Sequence, residues 1–327
     1  MGLMSNSTNL VSKKGPSLSW TISFSKQDQL AYIVLRFIAL IIVLLLGAMI
    51  FKLFMASKLA FSEFGFSFIY TDFWNPIEDE FGALPFIFGT LITSFVALLL
   101  AAPISIGVAI YVNEYLGTKL STFLSLFVEL IAAVPSIIFG LWGLYYLAPF
   151  IKNDLAPFLK STLGFLPFFQ GVSYGIGVLA ASIILALMII PTITTVCREI
   201  FKTVPTLNKE AALALGATKY EMIKLAIIRP SFSGIIGAIV LGLGRALGET
   251  MAVAMVIGNT PVISSSLFSS ASTMASVMAN EYAEADSDLH LSALCYVGLL
   301  LFVVTFIVNM FARTIVWRQT HKIKRRN

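Results

Sequence analysis

The chain has 327 residues, of which 58% are hydrophobic and only 12% charged, and its net charge at pH 7 is +5. Its mean hydropathy of +0.90 excludes an ordinary soluble globular protein and indicates that a lipid bilayer is the main solvent. Six runs are nearly free of charge and reach the roughly 20 residues that cross a ~30 Å hydrocarbon core. They cover residues 31–54, 84–112, 120–149, 173–196, 233–258 and 292–316. The sequence therefore predicts an all-α membrane protein with six transmembrane helices.

Lys and Arg residues near these runs predict the orientation, because basic residues at span ends favour the cytoplasmic side. They precede the first run, fill the segment between the fourth and fifth, and follow the sixth, whereas the outer loops are acidic. We therefore expect both termini in the cytoplasm and a positive charge that reflects topology, with no nucleic-acid binding. The basic residues are Lys13, Lys14, Lys26, Arg198, Lys202, Lys209, Lys219, Lys224, Arg229, Arg313, Arg318, Lys322, Lys324, Arg325 and Arg326.

The first part of the chain divides into a tail, a helix and an outer loop. Residues 1–30 are polar and rich in Ser and Lys, which predicts a cytoplasmic tail without a core. Residues 31–83 hold the first helix, too long for a signal-peptide core, and an aromatic outer loop. Alternating aromatic residues there are typical of an extended segment in an interfacial belt; a ligand-binding cluster is the alternative. The aromatic residues are Phe64, Phe66, Phe68, Tyr70 and the expected headgroup anchor Trp74.

Residues 84–316 are predicted to form the core of the protein, followed by a basic cytoplasmic tail at 317–327. Prolines inside the second, third and fourth runs and glycines in the fifth predict a kinked bundle with closely packed helices. The third outer loop is rich in small residues, and we expect a short re-entrant or interfacial helix there. The prolines and glycines are Pro103, Pro135, Pro191, Gly234, Gly237, Gly242, Gly244 and Gly248.

The cytoplasmic loop at 198–231 is predicted to contain two short helices. Thr206 is a candidate cap for the first helix, and Gly216 is a natural stop after it. Thr218 with Glu221 three residues later has the pattern of a capping box that begins the second helix. A solvated hairpin that only links two spans is the alternative to a docking element.

Within this loop, "EAALALG" resembles the EAA loop through which permeases of ABC importers dock an ATPase subunit. The resemblance assigns docking to Glu210, Ala211, Ala212 and Gly216, and implies the bundle of type I ABC importer permeases. Where the family usually ends this loop with Leu-Pro, the chain has Arg229 before its proline, which leaves the entry into the fifth helix open.

Four further stretches resemble the phosphate-specific permease subunits of the PstC type, and the likeness runs from about Asp72 to Arg313. It implies a permease that forms half of the translocation pathway of an ATP-driven phosphate importer in the bacterial inner membrane. The stretches are "FGALPFIFGTLITS", "ELIAAVPSIIFGLWG", "LGLGRALGETMAVAMVIGN" and "NEYAEAD".

Two charged residues interrupt the fifth apolar run. Arg245 lies about 18 Å into this run at ~1.5 Å per residue, near the bilayer midplane, where a charge costs roughly 2.5–3.5 kcal/mol. Glu249 follows four residues later, so we expect the two side chains on one helix face, either as a pair that only helps insertion or as part of an anion route. The resemblance assigns Arg245, Glu249 and Thr250 to the phosphate route, with Arg245 attracting the anion and Glu249 weakening its grip. Glu129 is predicted to belong to the substrate pathway as well, where it either pairs with Arg245 or snorkels to the cytoplasmic side.

The chain has no P-loop for ATP hydrolysis, because that motif contains the dipeptide Gly-Lys, which does not occur in this sequence. We therefore expect a transport subunit rather than an enzyme, without cofactor or catalytic residues. One EAA-like loop implies a second permease chain, and the resemblance implies a PstA-type permease, a PstB-type ATPase dimer and a PstS-type extracytoplasmic phosphate-binding protein. His290 and His321 have no partners at metal-ligand spacing, so no metal site is expected.

Three alternatives remain open from the residues alone. The permease is equally compatible with another oxyanion, such as sulfate or molybdate. A secondary anion carrier would usually show internal repeats, of which we see none that is convincing. A membrane subunit that signals phosphate status leaves no readable motif.

Overall fold

The computed structural model describes residues 26–324, and the side chains of residues 28–314. Most of the predicted N-terminal tail, including Lys13 and Lys14, lies outside the described residues, as do Arg325 and Arg326 at the other end. The same holds for the side chains of Lys26, Arg318, His321, Lys322 and Lys324. The chain divides into two units, Met1–Phe51 and Lys52–Asn327.

The first unit contributes most of one long helix. This helix, α1 (Lys26–Ala56), contains the first predicted span. None of the residues in its most apolar window is buried, and leucine, isoleucine and phenylalanine side chains are exposed along its length. An apolar helix without buried side chains is suited to a lipid or protein environment rather than to water.

The second unit contains ten helices among its described residues. These are α2 (Lys58–Phe64), α3 (Leu84–Glu114), α4 (Thr118–Ala132), α5 (Ser136–Leu163), α6 (Val178–Lys202), α7 (Thr206–Ala214), α8 (Lys219–Leu247), α9 (Met251–Val256), α10 (Met274–Glu281) and α11 (Asp288–Lys324). Five of the described helices, α1 included, are long and apolar enough to cross a membrane, or six if α4 and α5 count as one bent span.

The centre of the second unit is α6, whose most apolar window is 72% buried. Large apolar side chains such as Ile184, Ile189 and Ile193 are fully buried there. The fifth-run glycines allow α8 to approach it closely: a Cβ on Gly234 would lie 2.8 Å from Ile200, and one on Gly242 would lie 2.7 Å from Ile193. Small residues at helix contacts are what membrane bundles use in place of hydrophobic driving force.

The third predicted span is not one straight helix. α4 and α5 meet at an angle of 86° across residues 133–135. Pro135 causes this break, because it has no N–H to donate and disfavours a helical conformation in the residue before it. The prediction of a single helix over 120–149 is therefore wrong, although the expected proline distortion is present.

The fifth predicted span is displaced toward the cytoplasmic loop. α8 begins at Lys219 and runs without interruption through Arg229 and Pro230 to Leu247, with a π-helical turn at Ile223–Ile228. It therefore ends well short of residue 258, and a second short helix, α9, follows after residues 248–250. Pro230 directly follows this π-helical turn, and local π-helical adjustment is one way in which a membrane helix accommodates a proline.

The loops that are predicted to lie outside the membrane pack with α2, α3 and α11 into a second, smaller core. Phe68 lies in a 3₁₀ turn at Gly65–Ile69 and stacks on Tyr296 with 4.5 Å between ring centroids. Trp74 is buried, and its Nε1 donates a hydrogen bond of 2.9 Å to Glu281. The predicted extended conformation of this segment is therefore wrong, because Gly65, at φ +54°, ends α2 and begins the 3₁₀ turn in which Phe68 is buried. Phe66 and Tyr70 remain exposed.

The third outer loop contains the expected short helix, α10, but this helix is packed into the protein. Met274 and Val277 are buried in the outer core, and Thr273 with Ser276 forms a capping box at its start. At its end, Glu281 lies 3.1 Å from the buried His290 of α11. The apolar face of α10 is therefore buried by tertiary contacts and not by a membrane interface.

Candidate functional site

The loop that is predicted to be cytoplasmic forms a compact hairpin, which we call the docking hairpin after its predicted role (residues 206–228). α7 begins at Thr206, and the N-cap is Pro205, without a side-chain hydrogen bond. The prediction that Thr206 caps this helix is therefore wrong, because the proline's extended ψ of 134° already places Thr206 inside the first turn. α7 ends as expected, since Gly216 has φ +85°.

Two hydrogen bonds close the end of α7 in the pattern of a Schellman motif. The N–H of Gly216 donates to the carbonyl of Leu213 at 3.0 Å, and that of Ala217 donates to the carbonyl of Ala212 at 3.1 Å. The predicted capping box is confirmed: Thr218 accepts from the backbone N–H of Glu221, and the Glu221 carboxylate accepts from the N–H of Thr218. The C-terminal end of α7 and the start of α8, on the two sides of the turn, are therefore both closed by hydrogen bonds.

The docking hairpin is fixed to the end of α3. Lys209 Nζ lies 2.6 Å from Glu114 Oε1, and the side chains of the pair are only 19% and 7% exposed. Lys219 Nζ lies 4.1 Å from the centre of the Tyr115 ring. These contacts were not predicted, because they join residues about 100 positions apart in the chain.

The outward face of the hairpin combines small and apolar residues with charged ones. Of the residues assigned to docking, Glu210, Ala211 and Gly216 are exposed and Ala212 is half-buried. Leu215 is 90% exposed at the tip. Leu207 and Leu213 are also exposed on α7.

The second group of predicted residues surrounds the end of α8. Arg245 is exposed at the surface of this chain, and its Nη1 donates a hydrogen bond of 3.0 Å to Thr192 Oγ1 on α6. Glu249 lies beyond the helix, where its Oε1 accepts a 3.4 Å hydrogen bond from the N–H of Ala252. Among the described residues no ion pair joins Arg245 to Glu249.

The prediction that Arg245 and Glu249 share a helix face is therefore wrong. α8 ends at Leu247, and Gly248 adopts φ −99° and ψ 1°, which takes the chain out of the helix before Glu249. The low helix propensity of Gly248 explains why the sequence pattern overestimated this helix. A four-residue spacing places side chains on one face only where the helix continues.

The remaining two pathway residues lie apart from this contact. Thr250 occupies the N-cap position of α9 without a side-chain capping hydrogen bond, and its hydroxyl donates to the Gly248 carbonyl at 3.3 Å. Glu129 is exposed on α4, and it makes no ion pair within the described part of the chain. Of its two predicted arrangements, pairing with Arg245 is not found.

Sequence reasoning missed Thr192. A hydroxyl directly after a proline in the middle of an apolar span was the available signal, but such hydroxyls commonly bond their own helix backbone. Only the packing of α6 against α8 identifies its partner.

Comparison with known proteins defines the class. The family model for the binding-protein-dependent transport system inner membrane component matches residues 101–318, about two thirds of the chain. Structural similarity extends to a bacterial ABC transporter involved in the import of the acidic polysaccharide alginate, with a TM-score of 0.58, 20% identity, and coverage of 90% of this chain and 96% of that chain. An inward facing MetNI methionine ABC transporter gives a TM-score of 0.52 with 18% identity over 70% of this chain and 92% of that chain. The fold is that of ABC importer permeases, as predicted.

Closer relatives specify the family. The phosphate transport system permease protein PstC of Mesorhizobium japonicum is 44% identical over 299 residues, covering 90% of this chain and 91% of the relative. The PstC proteins of Pasteurella multocida and Haemophilus influenzae are 43% and 41% identical and cover 86% and 93% of this chain, and 89% and 96% of their own lengths. The chain belongs to the PstC family of multi-pass inner membrane permease proteins.

Proposed function

We propose that this chain is a permease subunit of an ATP-driven importer of inorganic phosphate and forms half of its translocation pathway. The observation that carries the proposal is the Arg245 guanidinium, which is exposed on an apolar bundle and, within the described part of the chain, is held by one neutral hydroxyl. The names of the relatives, phosphate transport system permease proteins, supply the substrate.

Arg245 cannot face lipid at low cost. A charge near the bilayer centre costs roughly 2.5–3.5 kcal/mol even on the lenient insertion scale, so such residues face protein or water. The surface of α6 and α8 around Arg245 and Thr192 is therefore the proposed wall of an aqueous route. A second permease chain, of the PstA type, supplies the opposite wall.

The guanidinium suits phosphate because its planar donors match two oxygens of an oxyanion at once. Transport also requires that this binding be weak enough for release. Glu249 and Thr250, at the break after α8, are proposed to line the same route, and the Glu249 carboxylate limits how long the anion stays. Glu129 is kept as a proposed route residue on α4.

The docking hairpin is the proposed contact with the ATPase. Glu210, Ala211, Ala212 and Gly216 lie on it, and its exposed small and apolar residues leave room for a partner surface to approach. Energy is thus provided by a separate ATPase dimer of the PstB type. A phosphate-binding protein of the PstS type delivers the anion outside, and both termini of this chain lie in the cytoplasm.

Uptake of labelled phosphate tests the function directly. Cells grown at low phosphate, with and without this chain, are assayed with and without excess unlabelled sulfate or molybdate. The proposal expects high-affinity uptake to vanish on deletion, to return with the intact gene, and to resist both competitors. Unchanged phosphate uptake in the deletion strain, or strong competition by another oxyanion, would reject phosphate as the substrate.

A further inference from the structure

The Arg245 side chain is tied to a residue on another helix, Thr192 of α6, 53 positions earlier in the chain. We propose that Thr192 is a positioning residue: its hydroxyl accepts a hydrogen bond from Arg245 Nη1 and sets the orientation in which the guanidinium meets the anion. This inference rests on the proposed role of Arg245 in phosphate passage.

The turn of α6 that carries Thr192 is held from its other side by α3. Ser105 Oγ donates to the carbonyl of Ile190 at 3.3 Å, and Thr194 Oγ1 donates to the carbonyl of Ser105 at 3.4 Å. Pro191 between them has no N–H to bond within the helix, so these cross-links stabilise a turn that is otherwise weakened. Thr192 is thereby presented from a fixed point of the backbone.

The approach of α8 to α6 makes the contact possible. Gly242 lies one turn before Arg245, and a Cβ at this position would come within 2.7 Å of both Cδ1 and Cγ1 of Ile193. Glycine at this position therefore brings α8 close to the turn that contains Thr192. The short side chain of threonine reaches the guanidinium only because the backbones are this near.

A neutral partner has a different effect from the carboxylate that the sequence suggested. A carboxylate binds a guanidinium through two parallel hydrogen bonds and cancels its charge. A hydroxyl accepts one of the five N–H donors and leaves the positive charge unchanged. The contact to Thr192 therefore orients Arg245 while keeping its remaining donors and its charge for an oxyanion.

The test compares Thr192→Val, which removes the acceptor with little change in shape, with Thr192→Ser, which restores it. Thr195→Val is the matched control, because Thr195 is a half-buried threonine on the same helix without a hydrogen bond to Arg245. Two quantities are measured in membranes containing the whole transporter. They are the kinetics of phosphate uptake and the rate at which phenylglyoxal, an arginine-selective dicarbonyl, modifies Arg245, followed by peptide mass spectrometry.

We expect Thr192→Val to lower the maximal uptake rate about tenfold, the size of one hydrogen bond to a charged group. The phosphate concentration for half-maximal uptake should stay the same, since capture occurs before the anion reaches Arg245. Modification of Arg245 should become several-fold faster because the guanidinium is released from its partner. Thr192→Ser and Thr195→Val should match the unmodified protein in both measurements.

Three results would overturn the proposal: unchanged uptake and labelling in Thr192→Val, equal damage in Thr192→Ser at normal protein level, or equal effects of Thr195→Val. If Thr192→Val does not insert, Thr192→Ala provides the same comparison. Failure of the proposed function is seen separately: unchanged phosphate uptake in the deletion strain rejects phosphate as the substrate, and normal uptake in Arg245→Gln removes Arg245 from the route. Even if the phosphate function fails, the rates of phenylglyoxal modification show whether Thr192 hydrogen-bonds to Arg245.

Discussion

At the scale of single residues, the structure replaces an expected ion pair with two separate polar groups. Arg245 bonds to a threonine on α6, whereas Glu249 accepts a hydrogen bond from the backbone at the start of α9. Within the described residues no ion pair neutralises Arg245, so the cost of placing its charge in a membrane is not relieved there. Under the proposed function, the aqueous route and the second permease chain relieve it.

Substitution of Arg245 tests the importance of its charge and its shape. We expect Arg245→Gln to abolish phosphate uptake, because the positive charge that attracts the anion is lost. Arg245→Lys should retain uptake at roughly a tenth of the normal rate, since lysine keeps the charge but offers no planar pair of donors. Uptake of labelled phosphate at equal protein level in the membrane is the measurement. Normal uptake in Arg245→Gln would remove Arg245 from the route.

Glu249→Gln distinguishes an insertion pair from a pathway residue. If Glu249 neutralised Arg245 for insertion, losing its charge would leave an unpaired arginine and reduce the amount of inserted protein. Because no such pair is found among the described residues, we expect the membrane level to stay within about twofold of normal while the uptake rate changes. Quantitative immunoblotting of membranes beside the uptake assay provides the answer. A large drop in membrane level would restore the insertion role.

At the scale of elements, the docking hairpin is held by tertiary contacts as much as by its own caps. Few residues of α7 are even half-buried, so its place depends on the Lys209–Glu114 pair and on the Gly216 turn. Breaking a largely buried ion pair leaves one uncompensated charge, which is more damaging than losing an exposed pair.

Charge reversal tests the contact between α3 and the docking hairpin. We expect Glu114→Lys to reduce co-purification of the ATPase several-fold, because Lys209 is then repelled from the end of α3. The double change Glu114→Lys with Lys209→Glu should recover most of the loss. Glu199→Lys is the control, since Glu199 pairs with Lys202 at an exposed site. Equal loss in this control, or no rescue by the double change, would contradict the structural role of the pair.

The Gly216 turn gives a second prediction for the same element. Open space surrounds Gly216, so only its φ of +85° resists a side chain. We expect Gly216→Val to weaken ATPase co-purification strongly and Gly216→Asn much less, because asparagine tolerates this region of backbone space at low cost. Gly117→Val is the comparison, since Gly117 is equally unhindered but has φ −67°. If asparagine is as harmful as valine, backbone conformation is not the cause.

At the scale of the whole molecule, orientation in the membrane is open to a direct test. Ile77 is 93% exposed in the first outer loop and Leu215 is 90% exposed on the docking hairpin. The two native cysteines, Cys197 and Cys295, are buried and give little background. We expect a membrane-impermeant maleimide to label Ile77→Cys on intact spheroplasts and Leu215→Cys only after the membrane is opened. The reverse pattern would overturn the predicted topology.

The membrane-protein class and its approximate spans could be predicted from the sequence, because burial in lipid needs long apolar runs whatever the tertiary contacts. The capping box at Thr218 was equally readable, since its hydrogen bonds join residues three apart. Breaks were harder to predict. Pro135 turns the chain by 86° because α5 packs elsewhere, as shown by Gly140 against Ala252 and Met255 of α9.

The sequence by itself determined that this chain is a membrane protein and that it has an EAA-like hairpin. It also determined that Arg245 lies within an apolar run. Each of these depends on composition or on local spacing, which the chain carries without reference to its fold. Only the tertiary structure decided which partners these residues have: Thr192 for Arg245, Glu114 for Lys209 and Glu281 for Trp74. Such contacts join distant parts of the chain, and they depend on how closely two helices approach, as Gly242 allows for α6 and α8.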